Sequence, residues 1–548
     1  MKYINVISTF ILYVAFGLVS SKVEAQFLNS NFATNGYTQD VLCYGEGKET
    51  LVQPDNKILV ANQRRSYYSN TNTPDENYLY CNRYNVDGSL DASFGTNGIA
   101  RFHHHNESEV MDIALQSNGK ILIGGESKYC GNITCGWRNL VLGRLNTDGS
   151  TDLNFGNSGV IEAEYIFGPM YLGSSINSIE VLSSGKIIIS GISRISPDGT
   201  TNGVIRPFVA RLTEDGLLDT SFGSTGTGLT FVDQFSIYLA YDMHIADDGS
   251  ILWLTKESYK TVVVKLTSSG VLDASFGNGG ALTIDIGTNS SSFVSMDIRT
   301  DNKLVLGGYI MNSAEDTSVV ITLNSDGSLY SQVSEIFIDI PMGDARISAI
   351  KCVSNNQVLI AGTLICDTTS FNNPARLGFI GLLNEDGTYD PSFASTGIMT
   401  FSLAAQGNFN WTFLEDLEVL SNGNILSTGG RTTQGNSVKK QLLLMSLNSD
   451  GTITSSNSIE EVPNVSDILV YPNPLNEASV LSYFSTASTS VSIDLFDLSG
   501  RHLHSYFSGI PKYGKNHLEL KSGVDFSKGN YFLKIKSITG SRTIQIQM

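Results

Sequence analysis

Apolar and polar positions alternate with a period of two over many short segments of the chain, and each segment ends in a turn signal. Val110 to Gly119 (VMDIALQSNG) alternates, stops at Asn-Gly, and is followed at once by the apolar KILIGG. Two such segments around Asn-Gly or Asp-Gly are typical of an antiparallel hairpin. Equivalent turns lie at Asp55-Asn56, Asn118-Gly119, Ser184-Gly185, Asp248-Gly249, Asp301-Asn302, Asn355-Asn356 and Asn422-Gly423. The pattern predicts a chain of hairpins with almost no helix.

A second recurring segment follows each hairpin: a third apolar strand, a turn, and the signature LDxSFG before a fourth strand. Close copies begin at Asp87 (DGSLDASFGTNG), Asp148, Asp215, Ser269 and Asp386, and shortened copies begin at Asp326 and Asp450. They return about every 60 residues, which indicates a repeat architecture. Four strands in each of seven units predict an all-β fold, a seven-bladed β-propeller.

The two ends of the repeat array have complementary gaps. Leu28 to Gly36 (LNSNFATNG) matches the signature of a unit that lacks its first three strands, whereas the unit from Trp411 to Gly451 has three strands and no signature. The N-terminal strand is therefore predicted to complete the last blade and close the ring, which removes two exposed sheet edges. The signature phenylalanine is predicted to fill the contact between neighbouring blades.

The LDxSFGxxG signature and its strand order resemble the delta-60 repeat family of secreted bacterial proteins. The resemblance extends over roughly Phe27 to Ser456. It implies a propeller and no particular activity.

Composition and charge indicate that the chain has more than one domain. At 548 residues it is too long for one ordinary core. The net charge of -18 disfavours nucleic acid as a partner, because phosphates bind basic surfaces. Residues 467–548 include 6 acidic and 8 basic residues, so the net negative charge of the chain comes from the residues before position 467. The predicted domains are a signal peptide (1–25), the propeller (26–456), a Ser/Asn/Thr-rich linker (457–466) and a C-terminal domain (467–548).

The N-terminus has the pattern of a secretory signal peptide. Lys2 precedes an apolar run from Val6 to Val19, and Ala25 ends a small-x-small cleavage site before Gln26. The alternative is an uncleaved membrane anchor, but the run is shorter than the roughly 20 apolar residues that span a bilayer. No transmembrane segment is predicted in the mature chain.

The C-terminal domain carries a second set of β segments with distinctive motifs. The motif residues are Tyr471, Pro472, Asn473 and Pro474 in YPNP, Gly500 and Arg501 in DLFDLSGR, and Gly529 and Tyr531 in GNYFLKI. In this order they resemble the C-terminal sorting domain of the type IX secretion system of Bacteroidetes. The resemblance implies a small Ig-like β-sandwich, the type IX machinery as a partner, and a secreted or outer-surface protein. The chain ends in IQIQM without the terminal lysine expected there, and a generic Ig-like sandwich is the alternative.

Few residues suggest chemistry. Cys130 and Cys135 (CGNITC) are close enough to form a predicted disulfide in a secreted chain. His103, His104 and His105 point alternately to opposite faces of a strand, and no zinc, phosphate-loop or nucleophile motif accompanies them. No metal, cofactor or catalytic residue is therefore predicted.

The variable segments between second and third strands, and between fourth and first strands, are expected to share one face of the propeller and meet the ligand. The ligand-face candidates are Arg64, Tyr67, Tyr68, Trp137, Tyr171, Tyr241 and Trp411. Aromatic rings beside polar groups suit a glycan or a surface protein. The sequence thus favours a non-catalytic binding or adhesion module. The alternatives are a glycan-active hydrolase or lyase with carboxylates at that face, and a structural surface component.

Overall fold

The computed structural model describes residues 32–33, 37–38, 45–64, 78–103, 107–130, 135–168, 171–196, 203–286, 290–311, 316–330, 336–338, 344–366, 375–394, 396–403, 411–432, 440–451, 465–471, 480–485, 490–496, 501–512, 514–520, 530–537 and 540–547. The chain divides into two compact units, Met1–Ile453 and Thr454–Met548. Both are built from β-strands, as the alternating pattern predicts.

The described part of the first unit contains seven consecutive antiparallel sheets, each with its strands in chain order. Sheet 1 has β1 (Gly45–Val52), β2 (Ile58–Arg64), β3 (Tyr78–Tyr84) and β4 (Ile99–His103); sheet 2 has β5 (Glu107–Leu115), β6 (Ile121–Cys130), β7 (Cys135–Leu145) and β8 (Val160–Glu162); sheet 3 has β9 (Tyr171–Val181), β10 (Ile187–Ile195), β11 (Val204–Leu212) and β12 (Leu229–Phe231). Helix α1 (Ala163–Phe167) connects sheets 2 and 3.

The remaining sheets of this unit follow the same order. Sheet 4 has β13 (Ile237–Ile245), β14 (Ile251–Glu257), β15 (Lys260–Leu266) and β16 (Ala281–Ile284); sheet 5 has β17 (Ser290–Ile298), β18 (Leu304–Met311), β19 (Thr317–Leu323) and β20 (Ile336–Ile338); sheet 6 has β21 (Asp344–Cys352), β22 (Val358–Cys366), β23 (Ala375–Leu383) and β24 (Ile398–Phe401); sheet 7 has β25 (Thr412–Val419), β26 (Ile425–Thr432) and β27 (Lys440–Leu447). A one-turn 3-10 segment, Ser354–Asn356, joins β21 to β22.

The hairpin turns use positive φ mainly at their second residue. Gly119 has φ 80° and donates its N–H to the carbonyl of Gln116, while the Asn118 side chain accepts the N–H of Lys120. Glycine or asparagine tolerates this conformation best, which explains why one or the other recurs there.

The signature phenylalanines fill the contacts between sheets, as the sequence predicts. Each ring is buried and lies against the turn glycine of the following repeat, where an added Cβ would approach ring atoms to 3.0 Å or less. The pairs are Phe32 with Gly88, Phe94 with Gly149, Phe155 with Gly216, Phe222 with Gly270, Phe276 with Gly327, and Phe393 with Gly451. Five of these glycines follow the sheet that holds the ring, whereas Phe32 precedes all the sheets and contacts sheet 1.

A buried basic residue on the third strand supports each phenylalanine in sheets 1 to 3. Arg144 is 1 % exposed, donates through Nε to Asp152 at 2.7 Å, and lies 4.5 Å from the Phe155 ring centroid. Its Nη1 donates to the carbonyl of Glu214 in the next repeat at 2.5 Å. Equivalent sets are Arg83 with Asp91 and Phe94, and Arg211 with Asp219 and Phe222. The signature aspartate thus forms a buried ion pair with an arginine of its own repeat, and that arginine hydrogen-bonds a carbonyl of the next repeat.

The N-terminal segment also contacts sheet 7. Tyr37 forms an antiparallel bridge with Met445 of β27, and the N–H of Thr38 donates to the carbonyl of Leu444 at 2.8 Å. These residues lie on the edge of β27 that a fourth strand would occupy. The first strands of neighbouring sheets contact one another from β1 to β25, and β25 contacts β1.

The second unit contains two sheets within its described residues. One has β28 (Val465–Tyr471), β29 (Val480–Ser485) and β32 (Gly514–Glu519); the other has β31 (His502–Gly509), β30 (Val491–Phe496), β33 (Asn530–Ser537) and β34 (Gly540–Gln547). Leu481 of the first sheet and Ile493 and Leu533 of the second share one apolar core. Strand β28 begins at Val465, two residues before the predicted domain start.

Candidate functional site

Polar and aromatic side chains collect at one edge of sheets 4 to 7. In each antiparallel sheet this is the edge where the first and third strands begin and the second strand ends. We call it the loop face and define it by Tyr238, Tyr241, Lys256, Tyr259, Tyr309, Arg346, Arg376 and Trp411. The sequence predicts a ligand at this edge, because the variable connections meet there.

The junction of sheets 4 and 5 is rich in tyrosine. Tyr259, in the turn between β14 and β15, is 74 % exposed, and its carbonyl accepts the N–H of Ser291 from β17. The Tyr241 hydroxyl lies 3.2 Å from Ser292 Oγ, and burial raises its pKa. Tyr238 is 37 % exposed and donates its hydroxyl to the carbonyl of Ser258. Hydroxyl hydrogen bonds therefore hold the rings of Tyr238 and Tyr241, and a backbone hydrogen bond holds the turn that carries the exposed Tyr259.

Arginine side chains continue the loop face across sheets 5 to 7. The Arg346 guanidinium lies 5.0 Å from the Tyr309 ring centroid and 2.6 Å from Asp316. The Arg376 guanidinium lies 4.6 Å from the Trp411 ring, and burial together with the charge of Arg346 lowers the pKa of Arg376. Aromatic rings and cationic donors thus alternate from one sheet to the next.

Two of the ligand-face candidates, Tyr241 and Trp411, lie on the loop face. Arg64, Trp137 and Tyr171 belong to β2, β7 and β9, where only the backbone is described. Tyr67 and Tyr68 lie outside the described residues. The candidate set therefore stays a prediction.

The remaining sequence-predicted residues are only partly described. Cys130 and Cys135 are cross-strand partners in β6 and β7, but their side chains lie outside the description, so the disulfide stays a prediction. In the sorting motif, Arg501 is exposed and Tyr531 is buried in the second unit's core. Tyr471 is described by its backbone alone, and Pro472, Asn473, Pro474, Gly500 and Gly529 lie outside the described residues.

A second polar cluster lies on the first strands of the sheets. Asp112, Asp242 and Asp416 occupy equivalent positions, four residues before the hairpin turn. The Oδ2 of each accepts a backbone N–H from another sheet, namely Ile179 at 2.6 Å, Met296 at 2.8 Å and Thr50 at 2.8 Å. The first two bonds join consecutive sheets, and the third joins sheet 7 to sheet 1. These carboxyls are therefore structural acceptors between sheets.

Burial and mutual repulsion disfavour ionisation in this cluster. Burial raises the pKa of Asp416 to about 7, with a further contribution from the charge of Glu418, and burial also raises the pKa of Asp112, Asp242 and Glu49. A protonated carboxyl can stay buried with its backbone partners at a lower cost than a carboxylate.

Cationic side chains compensate part of the negative charge of this carboxyl cluster. His244 Nδ1 lies 3.3 Å from Glu180 Oε1. Burial alone would lower the pKa of His244, but the charges of Asp242 and Glu180 outweigh it and raise the pKa to about 10. Lys351 forms an ion pair with Glu418 at 2.8 Å.

The stability of the wild-type protein is expected to fall as the pH rises from 5 to 8. The folded-state pKa of Asp416, about 7, exceeds the unfolded value of roughly 3.9. A raised pKa contributes stability below the unfolded pKa, and this is lost as pH rises through the folded pKa. Asp416→Asn, which is neutral throughout and can still accept the Thr50 N–H, should show a flatter dependence of Tm on pH.

The matched control is Asp326→Asn, in an exposed turn where the hydrogen bond from Ser328 lowers the pKa of the aspartate. This variant should keep the wild-type slope of Tm against pH. A slope in Asp416→Asn as steep as that of the wild type would show that Asp416 does not titrate in this range.

Two further properties bear on the site. Among the residues that the structure describes, no three His, Cys, Asp or Glu side chains are grouped so that they could hold a metal ion. The described helix is too short to cross a membrane.

Comparison with protein families gives two matches. A family described as a domain of unknown function (DUF5122) beta-propeller matches residues 53–94, 116–155 and 182–222. A secretion system C-terminal sorting domain matches residues 469–547. A search among curated proteins gives no match.

Several solved structures are similar at low identity. Virginiamycin B lyase from Staphylococcus aureus is 12 % identical with a TM-score of 0.38, covering 75 % of this chain and 98 % of that one. The polysaccharide lyase Uly1 is 11 % identical with a TM-score of 0.41, covering 79 % and 98 %. The NanB sialidase from Streptococcus pneumoniae is 10 % identical with a TM-score of 0.36, covering 75 % and 69 %. Similarity at this level says nothing of what this chain binds.

Proposed function

We propose that this protein, a β-propeller protein with a type IX sorting domain and therefore secreted or displayed at the cell surface, is a non-catalytic glycan-binding module. The observation that carries the proposal is the loop face, where Tyr259 and Tyr238 are exposed beside the arginine and aromatic pairs of sheets 5 to 7. The same face would serve adhesion to a glycan-coated surface.

The proposed architecture is a seven-bladed ring over residues 26–456, followed by a linker (457–466) and an Ig-like β-sandwich (467–548). The hydrogen bond from Thr50 to Asp416 supports closure, because the same bond joins sheets 2 and 3 and sheets 4 and 5. The bridge from Tyr37 to Met445 supports the N-terminal segment as the last strand of sheet 7. A signal peptide ending at Ala25 and recognition of the C-terminal domain by the type IX machinery complete the proposed route.

Exposed aromatic rings at a surface suit carbohydrate. A sugar ring presents C–H groups that pack on an aromatic face, and its hydroxyls accept hydrogen bonds from arginine and tyrosine. An exposed ring such as Tyr259 forgoes the free energy that its burial would provide. A cluster of exposed aromatic rings therefore favours a binding role. The half-buried Trp411 with its Arg376 partner would extend the surface to sheet 7.

The buried carboxyls of the first strands are poorly placed for hydrolysis. A glycosidase needs two carboxyl groups about 5–10 Å apart that face the bound sugar. Asp112, Asp242 and Asp416 instead accept backbone N–H groups at the contacts between sheets. Protonating a leaving group would require breaking a bond that holds two sheets together.

Tyr259→Ala is expected to weaken binding of the retained glycan about tenfold, which corresponds to roughly 1.4 kcal/mol. The ring is largely exposed, so the Tm should change little. Titration calorimetry on the mature chain, with a glycan identified by array screening, measures the effect. Leu153→Ala is the matched control, because Leu153 is an apolar side chain 69 % exposed in a turn at the opposite edge of sheet 2. Equal affinities of the two variants would exclude Tyr259 from the site.

A further inference from the structure

Arg376, near the start of β23, is a cation without a counter-charge among the described residues. Its Nε is a buried nitrogen that has no hydrogen-bond partner, and within the described part of the chain its guanidinium forms no ion pair. By contrast, Arg144 pairs with Asp152 at 2.7 Å, and Arg299 pairs with Glu385 at 2.7 Å. Arg376 therefore departs from the way in which this protein neutralises its other arginines.

The carboxylates at this edge of sheet 6 are engaged with other groups. Arg376 lies opposite Ile365 on β22, and Ile365 lies opposite Asp344 on β21. The Oδ1 of Asp344 accepts the N–H of Asp316 at 2.9 Å, and the Asp316 carboxylate pairs with Arg346 at 2.6 Å. The charge of Arg346 opposes that of Arg376 and lowers the pKa of Arg376 further than burial alone. The surroundings therefore leave the charge of Arg376 unbalanced.

Trp411 holds Arg376 in place without using its donors. The guanidinium lies 4.6 Å from the Trp411 ring centroid, and the two residues form a parallel backbone bridge between sheets 6 and 7. The N–H of Trp411 donates to Thr432 Oγ1 at 3.0 Å, and its carbonyl accepts the N–H of Thr432 at 2.9 Å. An aromatic ring attracts the positive charge but has no lone pair for the guanidinium N–H groups. Arg376 and Trp411 are both half-buried, so the pair is reached from solvent.

A partly buried positive charge without a counter-charge destabilises the folded chain, because burial removes water that would solvate it. A ligand anion would supply both the counter-charge and the hydrogen-bond acceptors that the protein does not provide. The planar guanidinium presents its donors as a fork that matches two oxygens of a carboxylate or a sulfate group.

We infer that Arg376, held against Trp411, is an anion subsite of the loop face, and that the glycan bound there carries a carboxylate or a sulfate group. The inference rests on the proposed glycan-binding function and names the ligand class. The anionic substituent lies against the guanidinium, and Trp411 contacts the sugar ring that bears it.

The test compares Arg376→Gln with Arg206→Gln in the mature chain by titration calorimetry. Arg206, on the third strand of sheet 3, is the matched control. Its guanidinium also lies over an aromatic ring, 3.7 Å from the centroid of Phe231, but its Nε donates to Asp233 at 2.9 Å. The acidic probes are oligogalacturonate for the carboxylate and κ-carrageenan oligosaccharide for the sulfate, and the methyl ester of the oligogalacturonate is the uncharged probe. Arg376→Gln should lose at least tenfold in affinity for whichever acidic probe the wild type prefers, and Arg206→Gln should not.

Stability distinguishes a binding arginine from a structural one. Arg376→Gln breaks no ion pair and no hydrogen bond among the described residues, so its Tm should stay close to that of the wild type. A loss of affinity that accompanies a large fall in Tm would make Arg376 structural and overturn the inference.

Three other results overturn the anion subsite and leave glycan binding standing. These are unchanged affinity in Arg376→Gln, an equal loss in Arg206→Gln, and a wild type that binds the methyl ester as tightly as the preferred acidic probe. A wild type that binds none of the probes also overturns the inference, and the proposed function fails with it if array screening retains no glycan.

Discussion

Phe32→Ala is expected to destabilise the first unit by about 3–5 kcal/mol, the usual cost of truncating a buried phenylalanine. The ring is buried against Gly88 of sheet 1, although it precedes every sheet in the sequence. Its neighbour Ala33 donates its N–H to the carbonyl of Asp87, as Gly95 does to Asp148 one repeat later. Because the N-terminal segment makes the contacts of a missing signature, losing its ring should loosen sheet 1 from sheet 7. Urea denaturation of the mature chain measures the change.

Phe155→Ala is the matched control, since Phe155 makes the equivalent contact with Gly216 between sheets 2 and 3. The two variants should lose similar free energies of unfolding, and the double variant should lose about the sum, because the sites share no partners. A midpoint for Phe32→Ala that matches the wild type, beside a large shift for Phe155→Ala, would mean that the N-terminal segment is dispensable. The proposed ring closure would then be wrong.

Arg144→Met is expected to cost about 3 kcal/mol, because it breaks a buried ion pair. Asp152 would keep Lys120, whose ammonium is 2.9 Å from the same carboxylate oxygen, and the N–H of Asn154. The variant also loses the hydrogen bond to the Glu214 carbonyl, which reaches into the next repeat. Thermal and urea denaturation should both detect the loss.

Arg144→Lys is the matched control, because another sheet of this protein has a lysine at the equivalent position. Sheet 4 carries Lys265 at the equivalent position, where it lies 3.4 Å from Asp273 and 6.0 Å from the Phe276 ring. The lysine variant should therefore retain most of the stability that methionine loses. If both variants behaved like the wild type, the ion pair would contribute nothing to holding the sheets together.

Much of the fold follows from local sequence. The hairpins, the strand order and the burial of the signature phenylalanines are predictable because each depends on short-range alternation and turn chemistry. The third-strand arginines were missed, although a basic residue before each turn, as in Arg83, Arg144 and Arg211, is visible in the repeats. Their contribution to stability depends on a hydrogen bond to a carbonyl of the next repeat, and the sequence of a single repeat does not reveal this bond.

The candidate site was less predictable. Tyr241 and Trp411 could be chosen because aromatic residues in variable segments suggest a ligand face. No sequence motif distinguishes Asp112 and Asp416 from the other carboxylates, and only the fold shows that they accept backbone N–H groups from neighbouring sheets.

The most direct test of the proposed function is array screening of the mature chain on acidic and neutral glycans, with product analysis of every glycan retained. We expect retention of a glycan that is recovered intact. Shortened or unsaturated products would contradict it and establish an enzyme, and an array without any retained glycan would contradict it in favour of a structural surface component.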